Sequence, residues 1–168
     1  MEQLYLARPS PAHQARYEEM MDEWERFGGR LNPGALRRYS RAQGRTVSYE
    51  EWLAWIAEDR ASVQDLYFLM SGDALLGAVS IRYRCDPVDG HIGFGIRPSR
   101  RGQGYGSKLL RLALPVLRDY GINPAVASCG RENTASARVI QSAGGIFVQE
   151  VPDEDETVRI YHIDTGRP

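Results

Sequence analysis

Three glycines, Gly102, Gly104 and Gly106, stand within five residues in the run Arg101-Gly-Gln-Gly-Tyr-Gly106, and an apolar helical pattern starts directly behind them. The first turn of a helix has backbone N–H groups without partners, and the helix dipole makes that end electropositive. Glycines there let a ligand touch the backbone and permit positive φ. The guest that suits such a mouth is a phosphate or pyrophosphate. Two nucleotide-binding patterns fit poorly. A P-loop needs Gly-Lys-Ser/Thr, whereas Gly106 is followed by Ser107-Lys108. A dinucleotide fingerprint needs G-x-G-x-x-G and an acidic residue at the end of the next strand; here that strand ends at Cys129.

Other residue types constrain the chemistry by their placing. His13, His91 and His162 are scattered singly, without metal-ligand spacing, so no metal site is expected. Cys85 and Cys129, in a chain with no secretory signal, read as reduced core thiols of a cytosolic protein. Charges nearly cancel, 21 Lys plus Arg against 22 Asp plus Glu. No global field attracts nucleic acid or an anionic membrane, and electrostatic recognition must be local. No apolar run is long enough to span a bilayer.

Periodicity supplies the elements that hold these residues. Leu4 to Arg8 reads as a strand, and Tyr17, Met20, Met21 and Trp24 give a helix over 12–27 its apolar stripe before Gly28-Gly29. Ser48 with Glu51 is a capping box, and Val47 with Trp52 a hydrophobic staple, for a second helix carrying Trp52, Leu53, Trp55 and Ile56. Residues 65–83 read as a hairpin broken at Ser71-Gly72-Asp73, and 91–96 as a strand. A helix over 104–120 contains Pro115, which predicts a kink or an early stop. A short buried strand over 125–129, a helix over 133–143 capped by Asn133, and a hairpin of 146–151 with 158–163 complete the chain. Strands and helices alternate without repeats or linkers, which predicts one α/β domain.

The run from Ile96 to Gly106 resembles the acetyl-CoA-binding motif of the GNAT superfamily of N-acetyltransferases, Arg/Gln-x-x-Gly-x-Gly/Ala, with Arg101, Gly104 and Gly106 in its positions and Ile96-Arg97-Pro98 before it. Downstream, Asn133 and Ser136 match the family's Asn-x-x-Ser stretch, and the chain is most similar to the predicted acetyltransferase branch. The resemblance covers nearly all of residues 1–168 and implies a single domain with a mixed central sheet of about seven strands and about four helices. It places acetyl-CoA between the motif strand and the strand after it, and residues 28–61 as an acceptor-side loop and helix. It implies that backbone N–H groups from Gln103 through Tyr105 to Ser107 hold the pyrophosphate, with Arg101 and Gly102 shaping the loop. The strand ending at Ile96 would pair with the pantetheine and direct an N–H at the thioester carbonyl, while Asn133 and Ser136 flank the cofactor. A homodimer is compatible with the resemblance.

Acetyl transfer to an amine needs a base for the amine and a proton donor for the thiolate. Where many members of the family carry a tyrosine as that acid, this chain has Ile140; where some carry a glutamate as base, it reads Asp89-Gly90-His91. Alternation puts His91, Gly93 and Gly95 on one face, a histidine followed by two residues without side chains, so something approaches that face closely. His91 is the candidate base and Tyr161 the candidate acid. Arg30, Arg37, Arg38, Arg41 and Arg45 lie in a stretch without acids, and Asp153 to Glu156 form an acidic tip. The arginine stretch is a solvated loop or a contact for the cofactor's 3′-phosphate or an acidic acceptor, and the tip a solvated turn or a lure for a cationic amine, so they point to opposite acceptor charges. Two functions stay open: an N-acetyltransferase acting on a primary amine of a small molecule, peptide or protein, and a non-catalytic acyl-CoA-binding regulatory module.

Overall fold

The computed structural model describes residues 2–166. In chain order its elements are β1 (Leu4–Ala7), α1 (Gln14–Phe27), β2 (Tyr39–Ser40), β3 (Arg45–Thr46), α2 (Tyr49–Asp59), β4 (Gln64–Ser71), β5 (Ala74–Asp86), β6 (Gly90–Ile96), α3 (Tyr105–Asp119), β7 (Ala125–Gly130), α4 (Thr134–Ser142), β8 (Ile146–Asp153) and β9 (Glu156–Ile163). Seven strands form one sheet in the order β1-β4-β5-β6-β7-β9-β8, antiparallel throughout except for the pair β6–β7.

Alternation along the central strands sends apolar side chains to both faces. Leu66, Phe68, Met70, Leu75 and Ala78 pack with Tyr17, Met20 and Trp24 of α1 and with Trp52 and Ile56 of α2. Leu69, Leu76, Val79 and Ile81 pack instead with Leu109, Leu110, Ala113 and Leu117 of α3 and with Ile140 of α4. A sheet buried on both faces needs a helix layer on each, and the result is three layers. The Ser48 cap is made as its spacing predicts, the Oγ accepting from the Glu51 N–H at 3.1 Å.

Three features depart from expectation. The arginine-rich segment contains a hairpin of two rungs, Tyr39↔Thr46 and Ser40↔Arg45, too short to leave an alternating pattern. Pro115 does not end α3, which continues to Asp119, because the fully buried Leu117 one turn-half beyond holds the last residues on the sheet. Cys85 is exposed, since β5 overruns the sheet at its end; Cys129 is buried, and both thiols are free.

One buried charge ties the layers together. Asp65 is fully buried and accepts from Arg8 at 2.8 Å, Tyr67 at 2.9 Å and Tyr120 at 2.6 Å, with Arg60 at 3.4 Å. Burial pushes its carboxyl up, but the hydrogen bonds from Arg8, Tyr120 and Tyr67 outweigh this and hold it below the usual carboxylate value. A carboxyl with a lower pKa folded than unfolded adds stability that is in place above the unfolded value, about 4, and is lost as pH falls through the folded one. Asp65→Asn is therefore expected to cost about 2 kcal/mol or more at neutral pH. The deficit narrows below about pH 4. Urea denaturation of both proteins across that range checks it, and a gap independent of pH would contradict it.

Candidate active site

The parallel neighbours β6 and β7 share a single rung, Ile92↔Ala127, and then diverge. The Arg97 N–H donates to the Leu76 carbonyl at 2.9 Å, which sets the alternation of the ladder to β5. Gly93 and Gly95 therefore turn their backbone groups to β5, while Phe94 and Ile96 turn theirs toward β7. Among the described residues no strand stands opposite these two. The Ile96 carbonyl accepts from Arg101 Nε at 2.9 Å, so the Phe94 N–H, the Phe94 carbonyl and the Ile96 N–H open into the gap. On the far side the Arg131 N–H donates to the Thr157 carbonyl at 2.8 Å, and by the same alternation Ser128 and Gly130 face the gap.

This gap is the floor of a cleft of about 1380 Å3. The glycine loop and the start of α3 form its wall: Gly102, Gly104, Tyr105, Gly106 and Ser107 all line it. Gly102 (φ 73°) and Gly104 (φ 84°) take left-handed backbone, and a Cβ on either would meet no atom within 4 Å. The first intrahelical bond is Lys108 N–H to the Gly104 carbonyl, so the N–H groups of Tyr105, Gly106 and Ser107 precede the ladder. Side chains leave this mouth clear. The Tyr105 hydroxyl bonds the Glu2 carboxylate at 3.0 Å, Gln103 Nε2 donates to the Ser99 carbonyl at 3.2 Å, and Ser142 donates to the Ser107 hydroxyl at 2.8 Å. The third glycine serves packing: a Cβ on Gly106 would press on Val139 of α4 at 3.0 Å. The start of α4 also faces the cleft, with Asn133 Oδ1 accepting from the Ser136 N–H at 3.1 Å and both residues on the lining.

Arg101 lines the cleft but is held toward α1. Its guanidinium lies over Trp24 and Phe27 of α1, 5.2 and 5.0 Å from the ring centres, while Nε holds Ile96. Arg97 likewise grips Glu23 of α1 at 3.1 Å. The loop behind α1 is fixed by aromatic donors, Trp24 to the Arg30 carbonyl at 3.2 Å and Trp52 to the Ala35 carbonyl at 3.0 Å. That loop covers the glycine face of β6. A Cβ on Gly95 would collide with the Asn32 carbonyl and stand 2.9 Å from Trp24, and one on Gly93 would stand 3.3 Å from Arg82 and Pro33. What approaches the small face of the motif strand is thus the chain's own segment.

The two candidate proton carriers are not brought into the cleft. His91 Nδ1 accepts the Val126 N–H at 3.0 Å, so the lone pair a base would use is engaged and the neutral ring carries its proton on Nε2. Burial, with Arg82 and His162 nearby, lowers its pKa, which keeps the ring neutral. Tyr161 is fully buried in the layer under α3 and α4, its ring edge-on to Phe147 at 6.0 Å, and its hydroxyl has no hydrogen-bond partner among the described residues. Sequence reasoning missed the ion pair that does span the cleft, Arg30 to Glu156 at 3.7 Å, because its partners are far apart in the chain and carry no shared pattern. Among the described residues no group of three or more potential ligands could hold a metal, and no helix is long and apolar enough to cross a membrane.

The model of the acetyltransferase (GNAT) domain family matches residues 3–146. The chain belongs to the GNAT acetyltransferase family. No curated protein matches it, but solved structures share the GNAT fold. A putative acetyltransferase of Salmonella typhimurium, yncA, solved with acetyl-CoA, is 16% identical, with 98% of this chain and 95% of that one covered and a TM-score of 0.65. An acetyltransferase from the same organism that modifies the N-terminal serine of a ribosomal protein is 16% identical over 96% of this chain and 94% of that one, TM-score 0.71. Mutant forms of the spermidine/spermine N-acetyltransferase SpeG from Vibrio cholerae are 13% identical over 97% and 95%, TM-score 0.67. As a GNAT enzyme the chain has its open strand edges and its helix mouth on one continuous cleft.

Gly95→Ala must displace the Asn32 segment, and is expected to destabilise by about 1–3 kcal/mol. Gly104→Ala meets open space and bears only the backbone strain, about 1 kcal/mol; equal losses in thermal denaturation would contradict the difference. Tyr161→Phe removes an unpartnered hydroxyl and is expected to leave melting unchanged or raise it, whereas His91→Ala strands the Val126 N–H and lowers it. Neither change is expected to lower acetyl-transfer turnover of the folded protein more than about threefold, against the about 10²-fold or greater loss of a removed acid or base.

Proposed function

We propose that this GNAT enzyme carries the acetyl group of acetyl-CoA to a primary amine that enters from the α1 side of the split. The observation that carries this is the juxtaposition, in one cleft, of strand groups at Phe94 and the Ile96 N–H with the N–H groups of Tyr105 to Ser107, none of them taken up by a ladder among the described residues. An extended amide chain fits the first set and a pyrophosphate the second. The residues present therefore fit coenzyme A. Gln103 to Ser107 would hold the pyrophosphate through backbone alone, with Gly102 and Gly104 leaving room for it. Arg101 would act indirectly, by fixing the strand end through Ile96, and Asn133 and Ser136 by setting the start of α4.

Bound acetyl-CoA supplies an activated acyl group on a thiol leaving group. The chain's part is to place that carbonyl against an N–H in the gap, a donor worth about 3–4 kcal/mol where oxyanion charge develops. The amine reaches it as the free base, having left one proton to a carboxylate or water at the mouth. As the C–N bond forms and the C–S bond breaks, a second nitrogen proton passes to the sulfur. No tyrosine is needed at Ile140 in this scheme.

Acetyl-CoA at 100 times its dissociation constant is expected to stabilise the fold by about 2.7 kcal/mol. Acetyl-pantetheine, which lacks the pyrophosphate, protects far less at equal concentration, and Gly104→Val abolishes the difference by filling the loop. Equal melting shifts from the two compounds would remove the pyrophosphate assignment. Coenzyme A release measured across a set of primary amines tests the transfer itself; tight acetyl-CoA binding with no turnover on any of them would instead favour the regulatory module.

A further inference from the structure

The β8–β9 hairpin ends in Asp153, Glu154, Asp155 and Glu156, and all four line the cleft. The hairpin is held in place by backbone, with Asp153 paired to Glu156 and the Thr157 carbonyl accepting from Arg131 N–H at 2.8 Å. Glu156 borders the split. A Cβ on Gly130, at the open end of β7, would lie 3.3 Å from its Oε2. Across the opening its Oε1 meets Arg30 Nη1 at 3.7 Å, a long contact between side chains 73% and 49% exposed. An ion pair of that length and exposure is weak and readily exchanged.

Counting charge at this mouth decides its sign. Arg30 offsets one of the four hairpin carboxylates, and Asp153, Glu154 and Asp155 make no ion pair among the described residues. Of the other cations on the lining, Arg131 is already paired with Glu150 at 3.5 Å, Arg82 lies against Gly93, and Arg101 lies over Trp24 and Phe27. The opposite wall, along α3 and α4, carries Arg100 and Arg138, with Glu132 before the start of α4. The hairpin thus brings to the acceptor mouth three carboxylates that no ion pair offsets among the described residues.

We infer that the acceptor is an amine bearing a second positive charge, with Glu156 as the carboxylate that anchors it and Arg30 as the counter-ion it displaces. This rests on the acetyl-transfer reading above and adds the acceptor's charge class. A cationic acceptor exchanges Arg30 for its own ammonium at Glu156 and leaves the primary amine free to reach the gap. Residues Asp153 to Asp155 raise its local concentration, an effect that fades with salt.

Putrescine, aminobutanol and aminobutyrate share a primary amine on a similar chain and differ in the charge of the second group. In steady-state assays the expected order of kcat/KM is putrescine, then aminobutanol, then aminobutyrate. Glu156→Gln is expected to lower the putrescine-to-aminobutanol ratio about fivefold, mainly through KM. Arg30→Gln is expected to raise that ratio, and neutralising all four carboxylates to abolish it. Calorimetric titration of putrescine into the protein without acetyl-CoA gives a readout independent of turnover, with weaker binding expected in Glu156→Gln. A lysine-rich peptide assayed alongside tells a small polyamine from a basic polypeptide as the source of the charge. Turnover with no preference among the three amines, or a ratio that Glu156→Gln leaves unaltered, overturns the inference while leaving acetyl transfer in place. Acetyl-CoA protection without turnover on any amine overturns both.

Discussion

A sheet that comes apart in its middle leaves backbone donors and acceptors without partners, and this is the constraint on which the rest of the molecule turns. Buried peptide groups are almost always bonded. Here β6 and β7 keep one rung and then separate, and the exposed edges are tolerated only because they border an open cleft. Everything around the gap relieves the local strain of that choice in part. Arg101 takes the Ile96 carbonyl, Asn133 N–H takes the Gly130 carbonyl, and His91 takes the Val126 N–H below the rung. What those three residues leave unbonded is what a ligand can use.

The layer of α1 and α2 exists, in this light, to press a loop against the same strand from the other side. Trp24 serves three times: its ring edge borders Gly95, its face lies beneath Arg101, and its indole N–H holds the Arg30 carbonyl. Strand, glycine loop and acceptor-side segment thereby share one aromatic fixture. Asp65, at the start of β4, performs a comparable service for the ends of β1, α2 and α3, outside the cleft lining.

Much of this was legible in the residues. The glycine spacing marked the helix mouth, Asn133 announced its own cap, and the small face of β6 implied a close neighbour. The periodic helices and hairpins came through because local pattern and tertiary burial agree there. Side-chain direction at the ends of strands did not come through. Alternation assigns His91 to a face, but it cannot show that β7 presents a bare N–H within reach, toward which the ring turns at Val126. Tyr161 likewise follows its strand's alternation into the core, where no local signal distinguishes it from a cleft tyrosine. The Arg30–Glu156 pair lies beyond any sequence pattern, and Pro115 shows how burial on both sides of a weak residue overrides propensity.

The division of labour between main chain and side chain across the cleft has an evolutionary corollary. At the α3 mouth and along β6 the exposed donors are peptide groups, which no point mutation deletes and which only a change of backbone shape can remove. At the hairpin tip and at Arg30 the groups that face the cleft are carboxylates and a guanidinium at the ends of flexible stems, each replaceable by one codon change. Substitution can therefore retune one wall of the cleft while the other stays as it is. A scaffold built this way inherits its donor chemistry and is free to drift in its choice of recipient.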